Sequence, residues 1–257
     1  FSNYVTNSIR STIFYFRFGV LILIIWYLLD SFSKFKSLFF YSLLITLFFI
    51  NFYSYLQLFV LHNYKYIDRI SGLFGTEEIQ GGFLLRITPL FLISFFYNKK
   101  KLNFFFYFLF YLILALNLIL VLLSGERAAI FLMFIGLLFG FIFLKVDLKN
   151  IFLILILIFL LSILTVNFFP KTKERIFKTT YNQIFISENE KKHINIFSKG
   201  HEGHFKSAMY MFKQYYLTGV GVRNFRMECQ KDFYKELAGE YHCSTHPHNT
   251  YIQFLSE

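Results

Sequence analysis

The chain has 257 residues, 56% of them hydrophobic and 23% aromatic, with a formal net charge of +11. At a mean hydropathy of +0.51 it is too apolar for a water-soluble domain of this size, and the composition indicates a polytopic membrane protein. The charge does not argue for nucleic acid, because basic residues beside membrane spans are expected on topological grounds alone. The 39 Phe and 18 Tyr read as lipid-facing filling rather than as a binding surface.

The first residue is Phe1, and the apolar stretch behind it lacks the small-residue cleavage site of a secretory signal, so the chain is read as a fragment at both ends. A spanning helix needs about 20 largely apolar residues. Stretches near 12–29, 38–60, 82–97, 104–123, 128–144 and 151–169 meet or approach that length, and a seventh begins near 249. The expected fold is all-α: a membrane domain of six spans over 1–169, a loop domain over 170–248, and the start of the next span over 249–257.

Lysines mark alternate connections: Lys34 and Lys36 in 30–37, Lys99, Lys100 and Lys101 in 98–103, Lys145 and Lys149 in 145–150. The positive-inside rule puts these in the cytoplasm and 61–81, 124–127 and 170–248 outside, in the periplasm. Basic residues outnumber acidic ones in the last segment too, but long segments cross largely regardless of charge. Within it, HFKSAMYMFKQY (204–215) carries Phe205, Ala208, Met209 and Phe212 at the spacing of an amphipathic helix lying on the membrane surface.

Charges in or beside spans are costly and ask for a reason. Arg17 interrupts TIFYFRFGVLIL near the outer end of the first span, where it snorkels, and it receives no role. Arg86, in QGGFLLRITPLF, falls about one turn inside the outer surface on a helix that Pro89 can kink. It faces a polar cavity or pairs with Glu77 or Glu78. Arg127, in LLSGERAAIF, opens a helix behind a tight outer turn. There the guanidinium and the helix-start N–H groups suit an anion, unless Arg127 simply pairs with Glu126.

Two cysteines, Cys229 and Cys243, both fall on the outer segment, where an oxidising compartment favours a disulfide. The rival is zinc held by these thiols with His242, His246 and His248. The histidines are too crowded for tetrahedral ligation, and neither CxxC nor HExxH is present. GVGVRNF (219–225) lacks the strand before and the Lys-Ser/Thr after that a phosphate loop needs; it reads as a turn whose glycines allow close approach to the membrane domain.

Together, SGERAA at an outer turn, a long outer segment, TGVGVRNFR, and HPHNTYIQFLSE at the next helix start resemble the O-antigen ligase and O-antigen polymerase family. SGLFGTEEIQGGFLLRITPL (71–90) also looks like the span ahead of the family's arginine turn. The His-Asn motif matches His248 and Asn249, and its glycine would lie beyond Glu257.

The resemblance implies an inner-membrane glycosyltransferase that needs no metal or other cofactor. Its donor would be an undecaprenyl pyrophosphate-linked glycan, and its acceptor the lipid A core or a growing glycan; membrane lipids are the other expected partners. Carried over by motif, Arg127 contacts the pyrophosphate and His248 activates the acceptor hydroxyl, supported by Asn249 and His246. Where the family often has another loop arginine, this chain has KGHEGHF with His201 and His204, which leaves Arg86 or Arg223 as the second pyrophosphate contact.

Two other classes compete. A transporter or flippase for a lipid-linked or anionic solute predicts paired broken helices and internal repeats, which the sequence does not show. A binding domain on a passive anchor leaves Arg86 and Arg127 without a purpose.

Overall fold

The computed structural model describes residues 4–61, 69–75, 77–146, 148–185 and 199–257. Outside the described residues lie Phe1, residues 62–68 and 76 of the outer connection 61–81, residue 147 of the connection 145–150, and residues 186–198 of the segment 170–248.

The described residues are helical and contain no strand. The elements are α1 (Val5–Ser31), α2 (Phe35–Leu56), α3 (Gln80–Asn98), α4 (Phe104–Leu123), α5 (Arg127–Phe143), α6 (Leu148–Phe168), α7 (Pro170–Lys173), α8 (Thr180–Phe185), α9 (Lys199–Gln214), α10 (Phe225–Glu228), α11 (Asp232–Ala238) and α12 (Thr250–Ser256). Four of the described helices, Val5–Ser31, Phe35–Val60, Gln80–Lys101 and Phe104–Leu123, are long and apolar enough to cross a membrane. Arg127–Phe143 and, within α6, the stretch Ile158–Phe168 are apolar over fewer residues, so a count of six spans rests on α5 and α6.

By packing, the chain divides into two compact units, Leu28–Thr180 and Phe1–Tyr27 with Tyr181–Glu257. The expected partition into 1–169, 170–248 and 249–257 is of another kind, by position relative to a bilayer.

In the unit Leu28–Thr180, aromatic side chains do more than face lipid. Phe40 of α2, Phe91 and Phe95 of α3 and Phe110 of α4 are all buried. The Phe95 and Phe110 rings stack at 3.6 Å, Phe91 and Phe110 lie at 4.9 Å, and Phe40 and Phe91 at 5.8 Å. Such pairs add roughly 0.5–1.5 kcal/mol each beyond burial. Other rings, among them Phe104 and Phe143, point outward as the composition predicts.

Lipid tails compete for apolar contact, so small and polar residues help to fix helix pairs. Asn51 Nδ2 donates to Asn117 Oδ1 at 2.7 Å, joining α2 to α4, and Gln80 Nε2 donates to Ser54 Oγ at 2.6 Å, joining α3 to α2. Pro89 sits inside α3 without ending it. Gly136 and Gly140 of α5 lie against α3: a Cβ on them would stand 3.9 Å from Pro89 and 3.0 Å from Leu92.

The connections meet in two sets. At one end Lys36 Nζ donates to Tyr97 Oη at 3.0 Å, Asn98 Nδ2 to the Lys36 carbonyl at 3.1 Å, and Tyr107 Oη to the Lys99 carbonyl at 2.8 Å. At the other, the Ile70 N–H donates to the Leu123 carbonyl at 3.3 Å. The lysine-bearing connections 30–37 and 98–103 therefore share an end, and 61–81 joins 124–127 at the other.

The second unit has its own small core of Ala208, Met211, Val220, Phe225, Cys229 and Tyr234. Helix α9 forms where an amphipathic helix is expected, but its buried stripe is Gly203, His204, Ser207, Ala208 and Met211. Of the four residues of the expected membrane-surface face, Ala208 is buried in that core and Met209 is exposed. The close approach expected of the GVG glycines is present, with α12 as partner. Val220 and Gly221 N–H groups donate to the Ser256 and Glu257 carbonyls at 2.8 and 3.1 Å, and a Cβ on Gly219, at φ +61°, would fall 2.4 Å from the Glu257 carbonyl.

Replacing Phe95 by Ala empties the centre of the ring stack and is expected to cost about 3–5 kcal/mol of unfolding free energy. Phe104→Ala, at a ring 86% exposed, is expected to cost below about 0.5 kcal/mol. Unfolding of the purified variants in detergent measures the contrast.

Candidate functional site

The turn Ser124–Arg127 carries the first arrangement. Gly125 takes φ +64°, which lets the chain leave α4 and begin α5 within three residues. Arg69 and Arg175 press against this glycine: a Cβ there would stand 3.5 Å from Arg69 Cγ and 2.7 Å from Arg175 Cδ. Arg69 Nε donates to the Ser124 carbonyl at 2.7 Å and Arg175 Nε to the Gly125 carbonyl at 3.3 Å.

Glu126 reaches from the turn to the start of α3. Its two carboxylate oxygens accept the Gly81 and Gly82 N–H groups at 2.8 and 3.0 Å, and Arg69 Nη2 lies 3.8 Å away. A carboxylate on the first turn of a helix satisfies orphan donors and meets the positive end of its dipole. The simple pairings considered for Arg86 and Arg127 are therefore not the ones formed. Glu78 pairs with Arg69, which also donates to the Glu78 carbonyl at 2.8 Å, and Glu126 is engaged by Gly81, Gly82 and Arg69.

Arg127 donates instead to Thr180 Oγ1 at 3.1 Å. Among the described residues it is the single charged one in the wall of an apolar cavity of about 450 Å³, lined by Leu122, Ile130, Met133, Phe134 and Ile158 among others. Arg86 is exposed, and a Cβ on Gly82 would lie 3.9 Å from its Nη1 and 3.2 Å from Glu126 Oε2. Arg86 thus bends back toward the turn. Four guanidinium groups gather here against two carboxylates that are already engaged, and the N–H groups opening α5 add partial positive charge. An anion with an apolar tail fits this arrangement.

The second arrangement lies in the other unit. Cys229 and Cys243 are joined in a disulfide with Cα atoms 5.1 Å apart, which takes both thiols out of any zinc reading. It ties the loop down just before Ser244–His248. Pro247 is buried, His248 takes φ +57°, and Asn249 caps α12 by accepting the Tyr251 and Ile252 N–H groups at 3.0 and 3.1 Å. A bulky residue held in the left-handed region costs about 1–3 kcal/mol and persists where its surroundings over-determine it.

That backbone presents His248 to three other imidazoles. Ring centroids of His246, His204 and His201 stand 4.2, 5.4 and 5.4 Å from it, and Ser244 Oγ lies 3.1 Å from His248 Nε2. Desolvation among these rings, then the charge that His246, His204 and His201 would add, pulls the His248 imidazole down to about 4. His204 is buried on α9, with Nδ1 meeting no hydrogen-bond partner among the described residues, and desolvation lowers it too. The ring at 248 is exposed and, held at about 4, neutral at ordinary pH.

The structure therefore brings His201, His246, His248 and Asn249 together, and separately draws Arg86 and Arg127 to one turn. Arg223 joins neither arrangement within its unit; it lines a cavity with Arg226, Arg10 and Arg17. Sequence reasoning missed Arg69 and Arg175, which carry no motif. It named His204 without a role, although HEGH sets two imidazoles three apart on one helix face.

The sequence model of the O-antigen ligase family matches residues 110–257, more than half of the chain. The chain belongs to the O-antigen ligase family. Glycan transfer in polysaccharide synthesis, by glycosyltransferase-like enzymes acting on lipid-linked glycans, is that family's activity, and its four long apolar helices make this O-antigen ligase family member a multi-pass membrane protein. The match includes Arg127, Arg175, both cysteines and the histidine cluster; Arg69 and Arg86 precede it. No curated protein and no solved structure matches the chain.

Two outcomes follow for the histidine unit. Replacing both cysteines by Ser opens a loop of about 15 residues and is expected to cost roughly 3 kcal/mol, read by denaturant unfolding. A His248 held at about 4 binds fewer protons folded than unfolded, where a histidine titrates near 6.5. Its contribution to stability is full above pH ~6.5 and is lost as pH falls toward about 4. His248→Gln should flatten the stability profile across that window, and an NMR titration of the native ring should show no midpoint near 6.5.

Proposed function

We propose that the protein transfers a glycan from an undecaprenyl pyrophosphate carrier to an acceptor sugar, the lipid A core or a growing polysaccharide, at the periplasmic face of the inner membrane. The observation that carries this reading is the apolar cavity whose one charged wall residue is Arg127. It suits a ligand with a long apolar chain and an anionic head, which a soluble sugar nucleotide is not.

In this reading Arg127 holds the pyrophosphate together with the first N–H groups of α5, and Arg175 and Arg86 supply further positive charge. As the glycosidic bond breaks, the leaving pyrophosphate keeps the electron pair and gains negative charge. Guanidinium groups already anchored to backbone and Thr180 stabilise that charge without reorganising and without a metal ion. The acceptor hydroxyl oxygen forms the new bond to the anomeric carbon, and its proton passes to His248. An imidazole held at about 4 is a ready acceptor but a modest base, so deprotonation runs late, with bond formation. Ser244 keeps the ring oriented, and Asn249 and Pro247 keep its backbone in place.

Arg127→Ala and His248→Ala in the full-length protein are each expected to lower transfer by about 100-fold or more, measured as surface polysaccharide in cells and as glycan moved in vesicles. Normal transfer in both variants contradicts the assignment. A transporter would instead leave carrier-linked glycan on the cytoplasmic face when the gene is deleted.

A further inference from the structure

Helix α1 carries a polar stripe that the sequence reading left without a purpose. Asn7, Arg10, Ser11, Phe14 and Arg17 recur at intervals of three or four residues and share one face. Arg223, Arg226 and Met227 meet that face, and together these eight residues line a cavity of about 440 Å³. Asn224 closes the arrangement from below: its Nδ2 donates to Ser8 Oγ at 2.8 Å and to the Val220 carbonyl at 3.1 Å, and its Oδ1 accepts from Asn7 Nδ2. The whole cavity belongs to one compact unit.

Four arginines thus line one cavity, with no carboxylate among the described residues of its wall. None of the four forms an ion pair with a described carboxylate. Two acidic groups beside Arg223 and Arg226 are engaged elsewhere: Glu228 holds Lys231 and Tyr234, and Glu257 accepts the Phe225 N–H and the Gln253 amide. Arg226 Nε is buried without an acceptor among the described residues. Its neighbour Arg223 is held in the left-handed region at φ +60°, a conformation a non-glycine residue rarely adopts. Like charges gathered this closely repel one another, and a buried donor without a partner costs about 1–3 kcal/mol. An anion in the cavity offsets both penalties.

We propose that this cavity binds the phosphate of an anionic lipid headgroup or of a soluble phosphate compound, apart from the glycan transfer proposed above. Guanidinium forks match phosphate oxygens two at a time, and four of them select a net-negative group over a zwitterionic one. The position favours the lipid source. Arg17 lies roughly 10 Å along the helix axis from Arg10, and the opposite face of α1 bears exposed apolar side chains such as Phe16 and Leu23. Basic pockets beside membrane helices are a recurrent means of gripping anionic headgroups. Phe14 and Met227 give the wall an apolar surface for the adjoining glycerol and acyl carbons.

Native mass spectrometry of the purified full chain, titrated with phosphatidylglycerol, phosphatidylcholine and inorganic pyrophosphate, tests this. The native chain is expected to retain phosphatidylglycerol at least tenfold better than phosphatidylcholine. Arg10→Gln with Arg226→Gln should erase that preference, while Arg10→Lys with Arg226→Lys should keep most of it. Arg17→Gln, three turns from Asn7 and its bond to Asn224, serves as a second charge-removing variant should the double change disturb folding; it too should weaken the preference severalfold. Retention of pyrophosphate alone, lost in the same variants, supports the phosphate site and assigns it to a soluble ligand. Equal retention of both lipids with no pyrophosphate bound overturns the proposal, as does unchanged phosphatidylglycerol binding in the charge-removed variants.

Discussion

An apolar chain must answer every charge it places near a span, and the carboxylate of Glu126 is where this protein does so most completely. One side chain satisfies the opening N–H groups of α3 and faces Arg69, so the start of one helix and the turn before another are fixed to each other. Because Glu126 is used in this way, and Glu174 holds Lys178, Arg127 and Arg175 are not neutralised by the nearest acids in sequence. Their positive charge remains for a ligand. In the proposed reading the turn is an anion site in which Glu126 and Glu78 serve as braces.

The histidine cluster answers a different constraint. Desolvation beside three other imidazoles depresses the basicity of His248, and it does the same to His204. A disulfide just upstream, a buried proline and a capping asparagine hold His248 in a left-handed backbone conformation that an untethered chain would leave. The geometry preserves a neutral imidazole, and a neutral imidazole is what proton acceptance from a sugar hydroxyl requires.

Much of this was legible in the sequence because it depends on local chemistry. Hydropathy located the helices, the lysines of 30–37 and 98–103 marked connections that do share an end, and Asn249 before an apolar run marked a helix cap. What was not legible depends on contacts distant in sequence. Arg69 and Arg175 stand 55 and 50 residues from the carbonyls they bind, and nothing in their neighbourhoods marks them. The side of α9 that packs within its unit was not legible for a related reason: Ala208 and His204 are covered by residues distant in sequence, His248 among them. That Arg17 shares a cavity with Arg10, Arg223 and Arg226 was not legible either, because Arg223 and Arg226 lie far along the chain.

The central claim is that Arg127, set over an apolar cavity, holds a lipid pyrophosphate. Equilibrium binding of a polyprenyl pyrophosphate and of the matching polyprenol to the purified protein tests it directly. The account predicts that the pyrophosphate binds at least tenfold more tightly and that Arg127→Gln removes most of this difference. Equal affinity for the two lipids, or a preference that survives Arg127→Gln, would contradict it.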